Sequence, residues 1–418
     1  MKMIKMALLG GAALAVSTAG AYADDLAALK AQVESLNARV AQMEAVPAIP
    51  AGYSLLTITE GSQPTVPGLE VLRKDALATG NSATVIGILP TADAPATTEI
   101  TWSGYARAAI VYIDRGDTDD LDVYARGQIK VTGKTETAVG EIGATIEYRG
   151  NFDGQRNLTN QFGADARGRF ISASSPNHNV YIEQAWGYWA MTPELTLGGG
   201  FAGSLGNIGY GYDGACNCYY TDNADVALNP GDTSQMRLKY ASGPLSLAVA
   251  IEDASGAGSG FSGDGSSADD HLGVAAEMKY AGDTINGEVS GFWRAGAQDT
   301  VLVDHDDVFG VGAGIGFSLG DIAVISAGAQ IGQYNNGQDF WRASILASAN
   351  LSDEIHAEVA FGHTSDNYGG DSVNAILAGV YYDPVSQLTI GLEGEWYDVD
   401  APGRDSVTQV DLVTIFRF

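Results

Sequence analysis

The sequence predicts an all-β fold, a 16-stranded antiparallel transmembrane β-barrel with a short N-terminal coiled-coil helix ahead of it. Three observations predict it: segments from Glu99 onward that alternate apolar and polar residues, connections that are short on one side and long and polar on the other, and a leader that marks the chain for export.

The leader comes first. Lys2 and Lys5 precede an apolar run from Met6 to Val16, and Ala21-Tyr22-Ala23 closes the segment, so residues 1–23 read as a secretory signal peptide. The apolar run is too short to cross a bilayer as a helix, and nothing later offers about 18 consecutive apolar residues. A membrane protein built from this chain therefore crosses with strands.

The chain of 418 residues carries a net charge of -29, and the leader holds two lysines and no acid, so the exported part stands at -31. Nucleic acid is excluded as a partner by that charge. The acid surplus has two readings, solvated loops or a pore that attracts cations. With 54 glycines, 19 tyrosines and 12 prolines the composition suits many strands and tight turns. The mean hydropathy is near zero, as expected where lipid-facing and water-facing residues alternate.

Residues 24–46 carry Leu26, Leu29, Val33, Leu36, Val40 and Met43 at spacings of 3, 4, 3, 4 and 3, a heptad seam. With Leu26 at position a, Arg39 falls at g and Glu44 at the following e, where parallel helices pair charges between chains. Three heptads are marginal alone, so the segment is expected to associate where a trimeric barrel already gathers the chains in the periplasm. The alternative is a single amphipathic helix lying on the protein's own surface. Pro47 and Pro50 end the helix, and residues 47–98 form a linker of unclear structure with β-like runs Ser54–Thr59 and Ala83–Leu89. The sequence leaves open whether this linker stays outside the barrel, folds against its mouth or enters its lumen.

From residue 99 to 418 seven short connections recur: 133–136, 191–194, 241–244, 281–283, 319–321, 351–354 and 383–386. They join eight hairpins, hence sixteen strands. The opposite connections are longer, the largest being 151–177, 205–232 and 254–269. Alternation then assigns faces. Leu121, Val123, Ala125, Gly127, Ile129 and Val131 oppose Asp122, Tyr124, Arg126, Gln128 and Lys130. Trp102, Gly104, Ala106, Ala108 and Ile110 likewise oppose Thr101, Ser103, Tyr105 and Arg107, and Met236, Leu238 and Tyr240 oppose Gln235, Arg237 and Lys239. Lipid cannot satisfy a charge, so the polar faces line water. The last segment sets Val410, Leu412, Phe416 and Phe418 against Gln409, Asp411 and Arg417.

No residue pattern suggests catalysis or a cofactor. The five histidines lie in no G-x-S-x-G or H-E-x-x-H context, and the acids around Asp264, Asp269 and Asp270 match no dedicated calcium loop. Cys216 and Cys218 are the only cysteines. They are candidates for a strained disulfide within one loop, and too few for a four-cysteine metal site.

The terminal strand resembles that of bacterial outer-membrane proteins, whose final aromatic residue is read by the barrel-assembly machinery. Trp102-Ser103-Gly104-Tyr105-Ala106-Arg107 at the start and Thr414-Ile415-Phe416-Arg417-Phe418 at the end make residues 99–418 resemble the alphaproteobacterial general porins, trimeric 16-stranded barrels. The resemblance implies a homotrimer in outer-membrane lipid and lipopolysaccharide that passes small hydrophilic solutes and ions. It also implies that the third outer loop, here 205–232, folds inward and narrows the pore. That loop carries Asp213, Asp222, Asp225 and Asp232, with Tyr219 and Tyr220 and both cysteines; the alternative is an exposed acidic loop. The same resemblance places a basic wall opposite the loop, for which Arg107, Arg126, Lys130, Arg237 and Lys239 are the candidates, unless they pair with lumen carboxylates such as Glu141 and Glu147. A coiled coil ahead of the barrel departs from the shorter members of that family. It supports a second reading, in which the barrel anchors a periplasmic tether.

Overall fold

The computed structural model describes residues 56–69, 80, 82–88, 98–116, 118–152, 178–206, 230–254, 272–296, 306–365, 372–400 and 405–418. The heptad residues Leu26, Leu29, Val33, Leu36, Val40 and Met43 lie outside them, as do the leader and both cysteines. Among the described residues there is no helix.

Eighteen strands follow in order. A hairpin comes first, β1 (Leu56–Ser62) and β2 (Ser82–Ile88). Then follow β3 (Thr98–Asp114), β4 (Asp119–Thr137), β5 (Gly140–Phe152), β6 (His178–Ala190), β7 (Leu195–Gly203), β8 (Asp232–Ser242), β9 (Leu245–Asp253) and β10 (Leu272–Ala281). The rest are β11 (Ile285–Arg294), β12 (Val308–Leu319), β13 (Ala323–Gln333), β14 (Asp339–Asn350), β15 (Ile355–Ser365), β16 (Ser372–Val385), β17 (Leu388–Asp400) and β18 (Val407–Arg417). Each of β3 to β18 pairs antiparallel with the next, and β18 pairs back onto β3 from Thr408↔Asp114 to Arg417↔Tyr105. The result is the closed 16-stranded barrel expected, without an open edge for lipid to meet.

The seam is completed by the last residue. Gly104 and Phe418 exchange backbone hydrogen bonds, N–H to O 3.2 Å one way and 3.1 Å the other. The Phe418 ring lies so close over Gly104 that a Cβ there would sit 2.6 Å from it and 2.3 Å from the Gln128 carbonyl oxygen. Below this point β3 outlasts β18, and β2 takes the vacated edge through Ile88↔Thr98 to Thr84↔Trp102. The two β-like runs of the linker are thus a hairpin that extends the sheet.

Burial alternates as the sequence predicts. In β18, Val407, Gln409, Asp411, Val413 and Ile415 are buried inward, while Val410, Leu412 and Phe416 are exposed outward. On β12, outward Phe309 and Phe317 flank Val311, Ala313 and Ile315. Eight residues at about 3.3 Å, tilted about 40°, separate the two rings by roughly 20 Å along the barrel axis, close to the apolar band of about 25 Å between aromatic girdles.

Two turns differ from expectation. The first is at residues 138–139, not 133–136, because β3 runs down to Thr98 and supplies partners for β4 as far as Thr135. Gly133 has open space at its Cβ position and serves as an ordinary strand residue. The last turn is at residues 386–387, not 383–386, and a register shift between Tyr382 and Val385 absorbs Pro384, which has no N–H for the ladder.

Candidate functional site: a charge-sorted lumen

Inward side chains follow from strand parity, and cross-strand register decides which meet. Arg107 and Arg126 stand directly opposite on β3 and β4. One strand further, Arg149 on β5 donates to Gln128 Oε1 at 3.3 Å and forms ion pairs with Glu147 at 2.8 Å and Glu183 at 2.6 Å. Lys130 also reaches Glu147, at 3.9 Å. Arg107 is buried, its guanidinium carbon 5.9 Å from the Tyr105 ring centre. These side chains form a basic arc over three adjacent strands.

On the other side of the seam the sign reverses. Glu393 on β17 stands directly opposite Asp411 on β18. Glu395 and, two strands back, Glu358 on β15 are also buried on the inner face. Tyr381 donates its hydroxyl to Glu393 Oε1 at 3.1 Å, and Gln409 donates Nε2–H to Asp411 Oδ2 at 2.8 Å. Like charges directly opposed across strands cost stability. One such pair of each sign is kept, on either side of the seam, although elsewhere on the wall opposite charges pair, as Lys279 does with Glu277 and Glu288.

The remaining candidates divide. Lys239 is half-buried on β8, inward by parity. Arg237, on the same face, is buried and engaged. It stacks over the Trp186 ring at 5.1 Å and donates to the carbonyls of Gly203 at 2.8 Å and Gly68 at 2.7 Å. Of the loop 205–232, Asp232 opens β8, half-buried, while Asp213, Asp222, Asp225, Tyr219, Tyr220, Cys216 and Cys218 lie outside the described residues. Both described ends of this loop turn inward. Leu205 is buried in a cluster with Ala250, Ala275, Phe292 and Phe340 from the inner wall. Ser204 donates to Glu252, whose Oε2 lies 3.4 Å from Arg294, and Arg294 also donates to the Pro230 carbonyl at 2.9 Å.

Sequence reasoning missed Arg149, the acidic arc and the engagement of Arg237. Alternation already sets Asp411 on the polar face, and the same rule extends to Arg149, Glu393 and Glu395. Their grouping needed the register and the closure of β18 on β3.

A closed barrel with an apolar exterior and a charged interior defines a channel of the bacterial outer membrane. The chain belongs to the Gram-negative porin family, which it matches over residues 82–411. Among solved structures it is similar to the outer-membrane channel DcaP of Acinetobacter baumannii, at 15% identity over 77% of this chain and 97% of that one, with a TM-score of 0.55. The anion-selective porin from Comamonas acidovorans gives 11% identity over 77% and 100%, TM-score 0.53. OmpF of Salmonella typhi, in complex with daunomycin, gives 13% over 77% and 98%, TM-score 0.53. No curated protein matches the chain. Family and fold point to a passive diffusion channel, not an enzyme.

Proposed function

We propose that the protein is a homotrimeric, cation-preferring porin that lets small hydrophilic solutes and ions diffuse down their gradients. The observation that carries this reading is the grouping of like charges on the inner wall of a closed barrel, which has no use in a mere anchor. A net charge of -29 and the arc of Glu358, Glu393, Glu395 and Asp411 favour cations, since a narrow low-dielectric passage excludes like charge. The basic arc of Arg107, Arg126 and Lys130 opposes this locally, with Lys239 adding charge on β8. The inward-turning ends of loop 205–232 support a constriction there, with Asp213, Asp222, Asp225, Asp232, Tyr219 and Tyr220 at the eyelet and Cys216 and Cys218 able to pair within it.

Trimer formation is supported by small residues on the outer face. Gly127 and Gly133 have nothing within 4 Å of a Cβ placed on them, so nothing within the protomer requires glycine there. Glycine weakens a strand by roughly 0.5–1 kcal/mol, and close approach of a neighbouring barrel accounts for tolerating it. The heptad segment 24–46 would then clamp three chains in the periplasm after export by residues 1–23. Outer-membrane lipid and lipopolysaccharide surround the apolar band, and Phe418 is the residue presented to the barrel-assembly machinery.

The test is single-channel conductance in a planar bilayer, with the reversal potential under a salt gradient. Steps in groups of three with a cation-selective reversal potential support the reading. Anion selectivity would overturn the charge assignment, and no conductance from a folded trimer would favour the tether.

A further inference from the structure

The connection out of β1 does not stay at the barrel's rim. Residues 63–69 run along the inner wall, where Val66 and Leu69 are buried in a cluster with Trp186, Tyr188 and Ala202, all inward side chains of β6 and β7. The Trp186 indole N–H donates to the Pro67 carbonyl at 3.3 Å. Gly68, at φ +75°, takes a left-handed conformation that turns its carbonyl to Arg237 Nη1 at 2.7 Å. Trp186 in turn packs against Gly198, where a Cβ would be 2.2 Å from the ring. At the other end Gln63 Nε2 donates to the Gly80 carbonyl at 3.1 Å, which closes the neck of the connection, and Gly80 packs under the Arg417 side chain.

The height of this contact matters. Trp186 lies four residues above the end of β6 and Arg237 five residues above the end of β8. Tilted strands place both roughly 10–13 Å above the short-turn end, about half-way up an apolar band of about 25 Å. Within the segment Thr65 alone is exposed, its neighbours being buried or half-buried.

We infer that Gln63–Leu69 is a second pore-narrowing element, a strap that enters from the side opposite loop 205–232, presents Thr65 to permeating solutes and is held by Arg237 as its positioning residue. This rests on the channel reading above. Arg237 spends its donors on the strap and on Gln235 and Gly203, so its work is to hold backbone in the lumen. Solute size and charge are then sorted at the strap as well as at the outer loop.

The experiment records the full-length trimer carrying Thr65→Asp, Thr65→Lys or Thr65→Trp in planar bilayers at 0.1 M salt. A charge about 10 Å from the ion path changes the cation-to-anion permeability ratio about 1.6-fold. Asp and Lys at this position should therefore differ by about 2.7-fold, and Trp should lower unit conductance. In an Arg237→Gln background the Asp–Lys difference should shrink, while Arg237→Lys, which keeps one donor for Gly68, should retain part of it. Because the readout is a difference between two Thr65 variants, the charge lost with Arg237 itself cancels. Equal reversal potentials for Thr65→Asp and Thr65→Lys, with unchanged conductance for Thr65→Trp, would overturn the strap. An undiminished Asp–Lys difference in Arg237→Gln would remove Arg237 from the role. A wild-type trimer that does not conduct fails the channel reading instead, before any variant is compared.

Discussion

Neutralising the acidic arc tests whether selectivity follows from the lumen wall. The perturbation is the quadruple substitution Glu358→Gln, Glu393→Gln, Glu395→Gln and Asp411→Asn, which keeps side-chain size and removes four charges from β15, β17 and β18. Sixteen strands about 4.8 Å apart and tilted about 40° close at a backbone radius of roughly 16 Å, and a carboxylate reaches about 5 Å inward, which leaves about 10 Å to an axial ion. At that distance a unit charge in water contributes about 0.4 kcal/mol, reduced by screening to about 0.15 kcal/mol at 0.1 M salt. Attraction of the cation and repulsion of the anion double this, giving about 1.6-fold in permeability ratio per carboxylate and about 7-fold for four. At 0.01 M the factor per carboxylate rises to about 2.7 because the Debye length triples. Reversal potentials under a KCl gradient, taken at both ionic strengths, measure the ratio. An unchanged ratio, or a change that does not grow at low salt, would refute the placement of these carboxylates along the ion path.

Three further outcomes are expected. Gly127→Leu should leave the heat-modifiable barrel intact, since its outward Cβ position is open, while shifting native gel mobility from trimer to monomer; a stable trimer would exclude this face from the interface. Gly104→Ala should weaken the β3–β18 seam by about 1–3 kcal/mol through overpacking against Phe418 and the Gln128 carbonyl, read as a lower temperature for loss of the folded band; no change would mean the seam relaxes freely. Val289→Arg, on the exposed outer face of β11, should cost about 2–4 kcal/mol in bilayer stability if it lies near the midplane, as measured by denaturant refolding into lipid; a neutral result would contradict its lipid-facing assignment.

The barrel was legible because its physics is local. Strand period, turn chemistry and the ban on unpaired charge in lipid operate over a few residues, so Leu121 to Val131 could be sorted into two faces without knowing any partner strand. The misplaced turn at 133–136 has the same origin from the other side. Gly-Lys-Thr-Glu has turn composition, but β3 extends to Thr98, and a waiting row of hydrogen-bond partners outweighs composition. Linker residues 47–98 resisted for a related reason: Ser54–Thr59 and Ala83–Leu89 read as strands, yet an isolated hairpin is marginal, and only the edge left where β18 stops gives β2 a place to pair.

The candidate site was less legible, because its meaning lies in register and closure. Arg107 and Arg237 look alike in sequence, each a cation on a polar strand face. Arg107 meets Arg126 across a ladder and leaves a concentration of positive charge in the lumen, whereas Arg237 meets Trp186 and a carbonyl from a segment 169 residues earlier in the chain. On the proposed reading one acts on solutes by its field and the other holds backbone. A permeability ratio that responds to Arg107→Gln directly, but to Arg237→Gln chiefly through the charge placed at Thr65, would separate the two roles; equal responses through either residue would return Arg237 to the basic wall.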